Sequence, residues 1–182
     1  VKTHESAAKY VEETYGKLDI LINNAGIFID ESENGVPIGA SQTSSEVFRK
    51  TFDTNFFNTI SITQAFVPLI KKSDAGRIVF LSSGLGSLNL HSDPNSPIYN
   101  WKVPAYDISK TALNGYAVHL AYELKDTPIK VNAAHPGSVV TDMNANGEIE
   151  VEEGAKTSVD LATLPADGYT GKFIHLGNEL PW

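Results

Sequence analysis

Tyr106 and Lys110 stand four residues apart in the run Tyr106-Asp107-Ile108-Ser109-Lys110, so on a helix they share one face and the ammonium can lie beside the phenol. Such a pair is a candidate proton-transfer device. A tyrosine ordinarily keeps its proton to about pH 10, and a fixed cation beside the phenolate is the simplest way to bring that value toward a working pH. The chain has seven tyrosines and lysine is about one residue in fifteen, so roughly 0.4 matches to this spacing arise by accident. The surrounding residues must decide.

Several other polar groups follow apolar, strand-like runs. Asn23-Asn24-Ala25-Gly26 comes after one of them, where amide side chains can reach a cofactor and tie adjacent strands together, although Asn and Gly are also common in plain turns. Asn55 falls within a long helical pattern; it is a poor helix former, so it is either a side chain with another duty or a solvated position. Ser83, in Ser82-Ser83-Gly84, can donate to a carbonyl oxygen. It lacks the Gly-x-Ser-x-Gly elbow of a hydrolase nucleophile, having no glycine two residues before it. Gly84-Leu85-Gly86 opens like a dinucleotide fingerprint, but Asn89 holds the final glycine position and a loop follows, so these glycines are assigned to loop geometry. Pro136-Gly137-Ser138-Val139-Val140-Thr141-Asp142 follows another strand and could be a ligand-edge segment or a turn. The five histidines show no metal-ligand spacing, so no metal is expected. Glu148, Glu150, Glu152 and Glu153 suit a solvated helix start.

The elements that must position these residues alternate. Ser6 to Tyr15 has helical period, with Ala7, Ala8, Val11 and Tyr15 on one side, and Leu18 to Ile22 is a buried strand. Thr43 and Glu46 form a capping-box signature before a long helix carrying Val47, Phe48, Phe52, Phe56, Ile60 and Phe66. Strands are expected at Arg77 to Ser82, Ile129 to Ala134 and Lys172 to Leu176, and Pro104 precedes a helix from Tyr106 to Leu124. Alternating strand and helix implies a parallel sheet covered on both faces. The polar stretches Asp30 to Ser45, Leu90 to Trp101 and Val140 to Glu153 are then loops at strand ends, where open parallel sheets bind ligands.

Composition narrows the classes. With 41% hydrophobic and 20% charged residues in 182, the chain is ordinary for a globular domain, and no apolar run is long enough to span a bilayer. A net charge of -8 disfavours nucleic acid and anionic lipid as partners. With no cysteine there is no disulfide, thiolate nucleophile or zinc-thiolate site. No basic-then-apolar leader opens the sequence, so a cytoplasmic location is expected.

Taken in order, Asn23-Asn24-Ala25-Gly26, Asn55, Ser83, Tyr106 with Lys110, and Pro136-Gly137 resemble the short-chain dehydrogenase/reductase family. Asp167-Gly168-Tyr169-Thr170-Gly171-Lys172-Phe173 and the closing Pro181-Trp182 resemble its carbonyl-reductase-like branch. The resemblance covers the whole chain and implies an α/β fold, a Rossmann-like doubly wound parallel sheet in three layers. It also implies hydride transfer between a nicotinamide cofactor and a small-molecule carbonyl or secondary alcohol, with NADP(H) favoured over NAD(H).

Residue roles come with it. Tyr106 is the implied acid in reduction and base in oxidation. Lys110 lowers its pKa and holds the nicotinamide ribose, and Ser83 polarises the substrate oxygen. Asn55 positions the helix backbone and a water that relays protons from Lys110. Cofactor contacts fall to Asn23, Ala25, Gly26, Tyr106, Lys110, Pro136, Gly137, Val139 and Thr141, the backbone near Val139, with Thr141, holding the carboxamide. Two features depart from the pattern: Asn58 stands where the family usually has glycine, and the spacing from Ser83 to Tyr106 is long. The extra loop, Leu90 to Trp101, should wall the substrate pocket, and insertions of this kind accompany monomers.

Family members begin with a strand and a glycine-rich turn that receives the pyrophosphate, then a second strand. Neither occurs in this sequence, and Val1 to His4 resembles the tail of a third strand with its loop. Residues 1–182 are therefore expected to be a single domain truncated at the N-terminus, the C-terminal catalytic portion of an enzyme without its βαβαβ half. The strand at Leu18 to Ile22 would then be an unprotected apolar edge. Two other readings remain: a non-catalytic binding or regulatory protein that keeps the fold, and a sugar-nucleotide epimerase or dehydratase. The Asn-Asn-Ala-Gly turn and the short C-terminal region argue against the latter.

Overall fold

Apolar runs too short for helices, bounded by turn residues, become the strands of one sheet. The computed structural model describes residues 2–30, 32–33 and 36–182. Strands β1 (Ile20–Asn23), β4 (Arg77–Leu81), β5 (Lys130–Ala134), β6 (Phe173–His175) and β7 (Asn178–Glu179) lie in the order β1-β4-β5-β6-β7. The first four run parallel and β7 turns back antiparallel. A separate hairpin pairs β2 (Ser32–Glu33) with β3 (Val36–Pro37).

Helices α1 (Lys2–Tyr15), α2 (Ser45–Phe52), α3 (Thr59–Ile70), α4 (Leu88–Ser92), α5 (Pro104–Glu123) and α6 (Val151–Ala162) complete the chain. A π-helical segment, Asp53–Asn58, joins α2 to α3, and one 3-10 turn spans Gly84–Gly86. Strand alternation divides the core. Ile78, Phe80, Val131, Ala133 and Phe173 pack with Ile70 of α3 and with Leu113, Ala117, Leu120 and Ala121 of α5. Val79, Ala134 and Ile174 face the other way, onto Leu161 and Ala162 of α6. The result is a three-layer, mixed α/β, Rossmann-like fold.

Several expectations shift by a residue or more. Lys2–His4 belong to α1 rather than to a strand tail, and Val1 lies outside the described residues. The cap of α2 is Ser44, whose Oγ accepts from the Val47 amide at 3.2 Å. Thr43, expected there, instead turns its hydroxyl to the Ile38 and Gly39 carbonyls. The hydroxyl that reaches the third amide inside the helix wins, and that is one residue further on. Pro104 is inside α5, at its first turn, where its missing N–H costs nothing. Leu88–Ser92 is helical where a loop was expected, and β2, β3 and β7 were too short for periodicity to reveal. Trp182 stacks on Phe173 with ring centroids 5.6 Å apart and its carbonyl accepts from the Asn89 amide at 2.9 Å, so the tail closes over β6.

One glycine controls how closely α5 approaches the sheet. A Cβ at Gly86 would stand 2.9 Å from the carbonyl carbon of Lys110 and 3.0 Å from its Cβ. Gly86→Ala should therefore lower stability by about 1–3 kcal/mol, read as a lower urea midpoint. An unchanged midpoint would mean that the helix can move away freely.

Candidate active site

Parallel strands deliver their following loops to one rim. Asn23 ends β1, Ser83 stands two residues beyond β4, and Pro136-Gly137 begins just after β5. Helix α5 starts above this rim, with Tyr106 in its first turn and Lys110 one turn later.

Lys110 is only 4% exposed. Its Nζ donates to the Leu81 carbonyl at the end of β4 at 2.7 Å and lies 5.6 Å from the centre of the Tyr106 ring. Burial pushes the ammonium down to about 8. Burial also pushes Tyr106 up to about 12, against a hydrogen bond from Ser83 that favours the phenolate and with Asp107 adding to the rise. Desolvation is the largest influence on the phenol, and it holds the tyrosine protonated. Ser83 Oγ also accepts from the Leu85 amide at 3.2 Å, which fixes the serine at the head of the 3-10 turn.

Asn55 is fully buried. Its Oδ1 accepts from the Ile27 amide at 2.7 Å, and its Nδ2 donates to the Ile27 carbonyl at 2.9 Å and to Ser109 Oγ at 3.0 Å. Both amide protons are spent within the chain, so the side chain pins the loop after β1 to α5. The π-helical turn around it is the local irregularity that such functional positions often show. Gly26 sits between these groups: a Cβ there would lie 3.4 Å from Asn55 Oδ1 and 3.5 Å from Lys110 Nζ.

Other assignments fall differently. Asn23 donates to Thr63 Oγ1 at 3.2 Å, tying β1 to α3 rather than to a neighbouring strand, and Ala25 is exposed. Gly137 takes φ +93°, a conformation open to glycine. Val139 and Thr141 belong to a strap beyond it: Val139 bridges to Ile149, Thr141 to Asn144, and the Val139 side chain packs where a Cβ of Gly154 in α6 would be. Asn55, Gly26, Ser83, Tyr106 and Lys110 converge, and Val139 and Thr141 lie on that strap.

Two acids escaped sequence reasoning. Asp30 receives the Ala105 amide on Oδ2 at 2.8 Å and the Tyr106 amide on Oδ1 at 2.9 Å, capping α5 from a loop 75 residues away in sequence. Phe28 of the same loop packs edge-on against the Tyr106 ring at 5.2 Å. Nothing in the sequence signals a cap so remote. Asp107 is buried, accepts from the Val103 amide at 3.0 Å and leaves Oδ1 without a partner among the described residues. Burial pushes it up to about 7, with the Val103 amide opposing and Asp30 adding to the rise. His91 Nε2 lies 3.3 Å from it and 2.9 Å from the Leu85 carbonyl, while Lys102 donates to Nδ1. That pattern puts the proton on Nε2 of a neutral ring, and burial with Lys102 nearby holds the His91 pKa down despite the Leu85 carbonyl. The contact is better described as a hydrogen bond than as an ion pair.

The profile of the family described as "short chain dehydrogenase" matches residues 1–151. The chain belongs to that family. It is 38% identical over 163 residues to short-chain dehydrogenase anuI of Penicillium roqueforti, covering 87% of this chain and 62% of the relative. It is 34% identical over 206 residues to the (+)-neomenthol dehydrogenase of Arabidopsis thaliana, covering 88% and 69%. In structure it is similar to NADPH-bound carbonyl reductase from chicken fatty liver, with a TM-score of 0.83 at 25% identity over all of this chain and 73% of the other. The chain thus spans about two thirds of these two curated relatives' lengths. Among the described residues no group of three His, Asp or Glu side chains could hold a metal ion, and no helix is long and apolar enough to cross a membrane.

Asp30→Ala should cost about 1–3 kcal/mol of stability, because two amides lose a charged acceptor, and Asp30→Asn should recover little of it, because its NH2 would face one of the two amide donors; a lowered midpoint in thermal denaturation checks both. Asp107 gives a pH signature. Folded, it keeps its proton to about 7, unfolded only to about pH 4, so the stability it contributes at acid pH is lost as pH rises through that window. Wild-type stability relative to Asp107→Asn should therefore fall between pH 4 and 7 in urea titrations. A flat or rising difference would contradict the shift.

Proposed function

We propose that this chain carries the catalytic portion of an NAD(P)-dependent carbonyl reductase or alcohol dehydrogenase. The observation that carries the reading is the convergence of the Tyr106 phenol, the Ser83 hydroxyl and the buried Lys110 ammonium at the carboxyl rim of the sheet. The residues present suit the nicotinamide-ribose end of a cofactor. Lys110 donates to one acceptor among the described residues, which leaves two ammonium protons for ribose hydroxyls, and Gly26, where a Cβ would lie 3.5 Å from Nζ, leaves room beside it. A bound nicotinamide would supply the hydride in its reduced form and, once oxidised, a positive charge that favours the phenolate.

The chain's residues supply the rest. Ser83 donates to the carbonyl oxygen, its own oxygen being held by the Leu85 amide. Tyr106, kept protonated by burial, gives its proton to that oxygen as the carbon is reduced, and Lys110 stabilises the phenolate left behind. Asn55 keeps α5 in register with the loop after β1. In alcohol oxidation the proton moves the other way. NADP(H) is the preferred cofactor in this proposal, because the similar carbonyl reductase from chicken fatty liver is bound to NADPH. Small carbonyls or secondary alcohols are the substrate class.

The same proposal makes the chain part of a larger enzyme. Among the described residues strand β1 pairs only with β4, which leaves its outer edge open, and Ile20 and Ile22 of this strand are 43% and 41% exposed. An apolar parallel strand is suited to a further neighbour, here the βαβαβ half that would receive the cofactor phosphates.

Tyr106→Phe in the whole enzyme should lower carbonyl reduction by at least about a thousandfold and leave the NADPH affinity, read by nicotinamide fluorescence, within about threefold. Equal turnover by the variant would favour a non-catalytic binding protein. The 182-residue chain alone should bind NADPH weakly and turn over poorly; tight binding and full turnover would refute the partial-enzyme reading.

A further inference from the structure

His135 lies between the two segments that the proposed chemistry needs to hold in register. It immediately follows β5, and its Nδ1 accepts from the Gly84 amide at 3.0 Å and from the Gly137 amide at 3.4 Å. Gly84 is the residue after Ser83, and Gly137 is the centre of the turn after β5. The ring packs against Gly84 so closely that a Cβ there would stand 3.2 Å from Nε2. Its backbone is fixed as well: the His135 amide donates to Ile174 at 2.8 Å and its carbonyl accepts from His175 Nδ1 at 2.9 Å. The two imidazoles lie 4.7 Å apart.

An imidazole nitrogen that accepts two amide protons carries no proton of its own, so the ring is the neutral Nε2–H tautomer. Burial and the adjacent His175 both act to keep it neutral, holding it down to about 4. A cationic ring would turn a donor toward two donors.

We propose that His135 is a positioning residue whose Nδ1 clamps the Ser83-Gly84 segment to the Pro136-Gly137 turn, fixing the carbonyl-polarising hydroxyl relative to the nicotinamide end of the cofactor. The role rests on the reductase reading, but the clamp itself is a property of the chain. Strands β4 and β5 pair through Leu81 and Ala134, and beyond that point their loops are free to diverge. The ring supplies the link that continues the pairing past the last ladder bond, with one acceptor serving two loops.

Three variants test the proposal in the full chain. His135→Asn places an amide oxygen near the Nδ1 position; His135→Gln carries its oxygen one atom further out; His135→Leu fills the space without an acceptor. Hydrogen exchange at the Gly84 and Gly137 amides should rise about tenfold or more in the Leu and Gln variants and stay within about threefold of wild type in the Asn variant, while Val79 in the middle of β4 is unmoved. With NADPH and a small aromatic aldehyde, kcat should fall about tenfold or more in Leu and Gln and recover in Asn, with KM for NADPH changing less. Unaltered exchange at Gly84 in the Leu variant would overturn the clamp, as would an Asn variant no better than Gln. Should the Leu variant fail to fold, the Asn and Gln comparison decides alone. Absence of wild-type turnover would count against the reductase reading, whereas the exchange result judges the clamp without it.

Discussion

The ammonium of Lys110 is taken almost entirely out of water, and the rest of the site is arranged around that demand. It is tolerated because α5 lies close enough to the sheet for Lys110 to reach the Leu81 carbonyl, which β4 presents at its end. That approach is possible because Gly86 has no side chain to strike the backbone of Lys110. The helix is held there by Asn55 through Ser109 and by Asp30 through the Ala105 and Tyr106 amides. A small residue, a buried amide and a distant carboxylate thus serve the placement of one charge.

The same desolvation acts on both members of the Tyr106 and Lys110 pair, in opposite directions. It raises the phenol to about 12 and lowers the ammonium to about 8, because each neutral form is preferred away from water. The gap between the two values narrows from neither side in favour of the phenolate. A site built this way keeps its proton on the tyrosine. The hydrogen bond from Ser83 already leans toward the phenolate.

The candidate site residues stand out in the sequence because their types are unusual for their places: an asparagine in a helix, a serine and a glycine after a buried strand, a tyrosine and lysine at helical spacing. The parallel sheet and both its helical layers followed from alternation, which long elements show strongly. The supports were not legible. Asp30 and His135 act through hydrogen bonds to backbone amides about 50 to 75 residues away in sequence, and a backbone amide leaves no mark on residue type. The Ser44 cap was missed by one position because Thr43 offers the same hydroxyl, and only the direction of the entering chain separates them. The short strands β2, β3 and β7 contain too few residues for a period to appear.

Most of these supports converge on the loop that follows β1. Ile27 exchanges two hydrogen bonds with Asn55, Phe28 packs on the Tyr106 ring, and Asp30 caps its helix. Yet β1, the strand from which that loop springs, is bonded on one side only among the described residues. A strand held by a single neighbour opens more readily than one in the middle of a sheet, so the order of Tyr106 is coupled to whatever covers the Ile20 and Ile22 edge. Covering that edge would do more than bury apolar surface: it would stiffen the platform on which the tyrosine, the lysine and the asparagine are assembled.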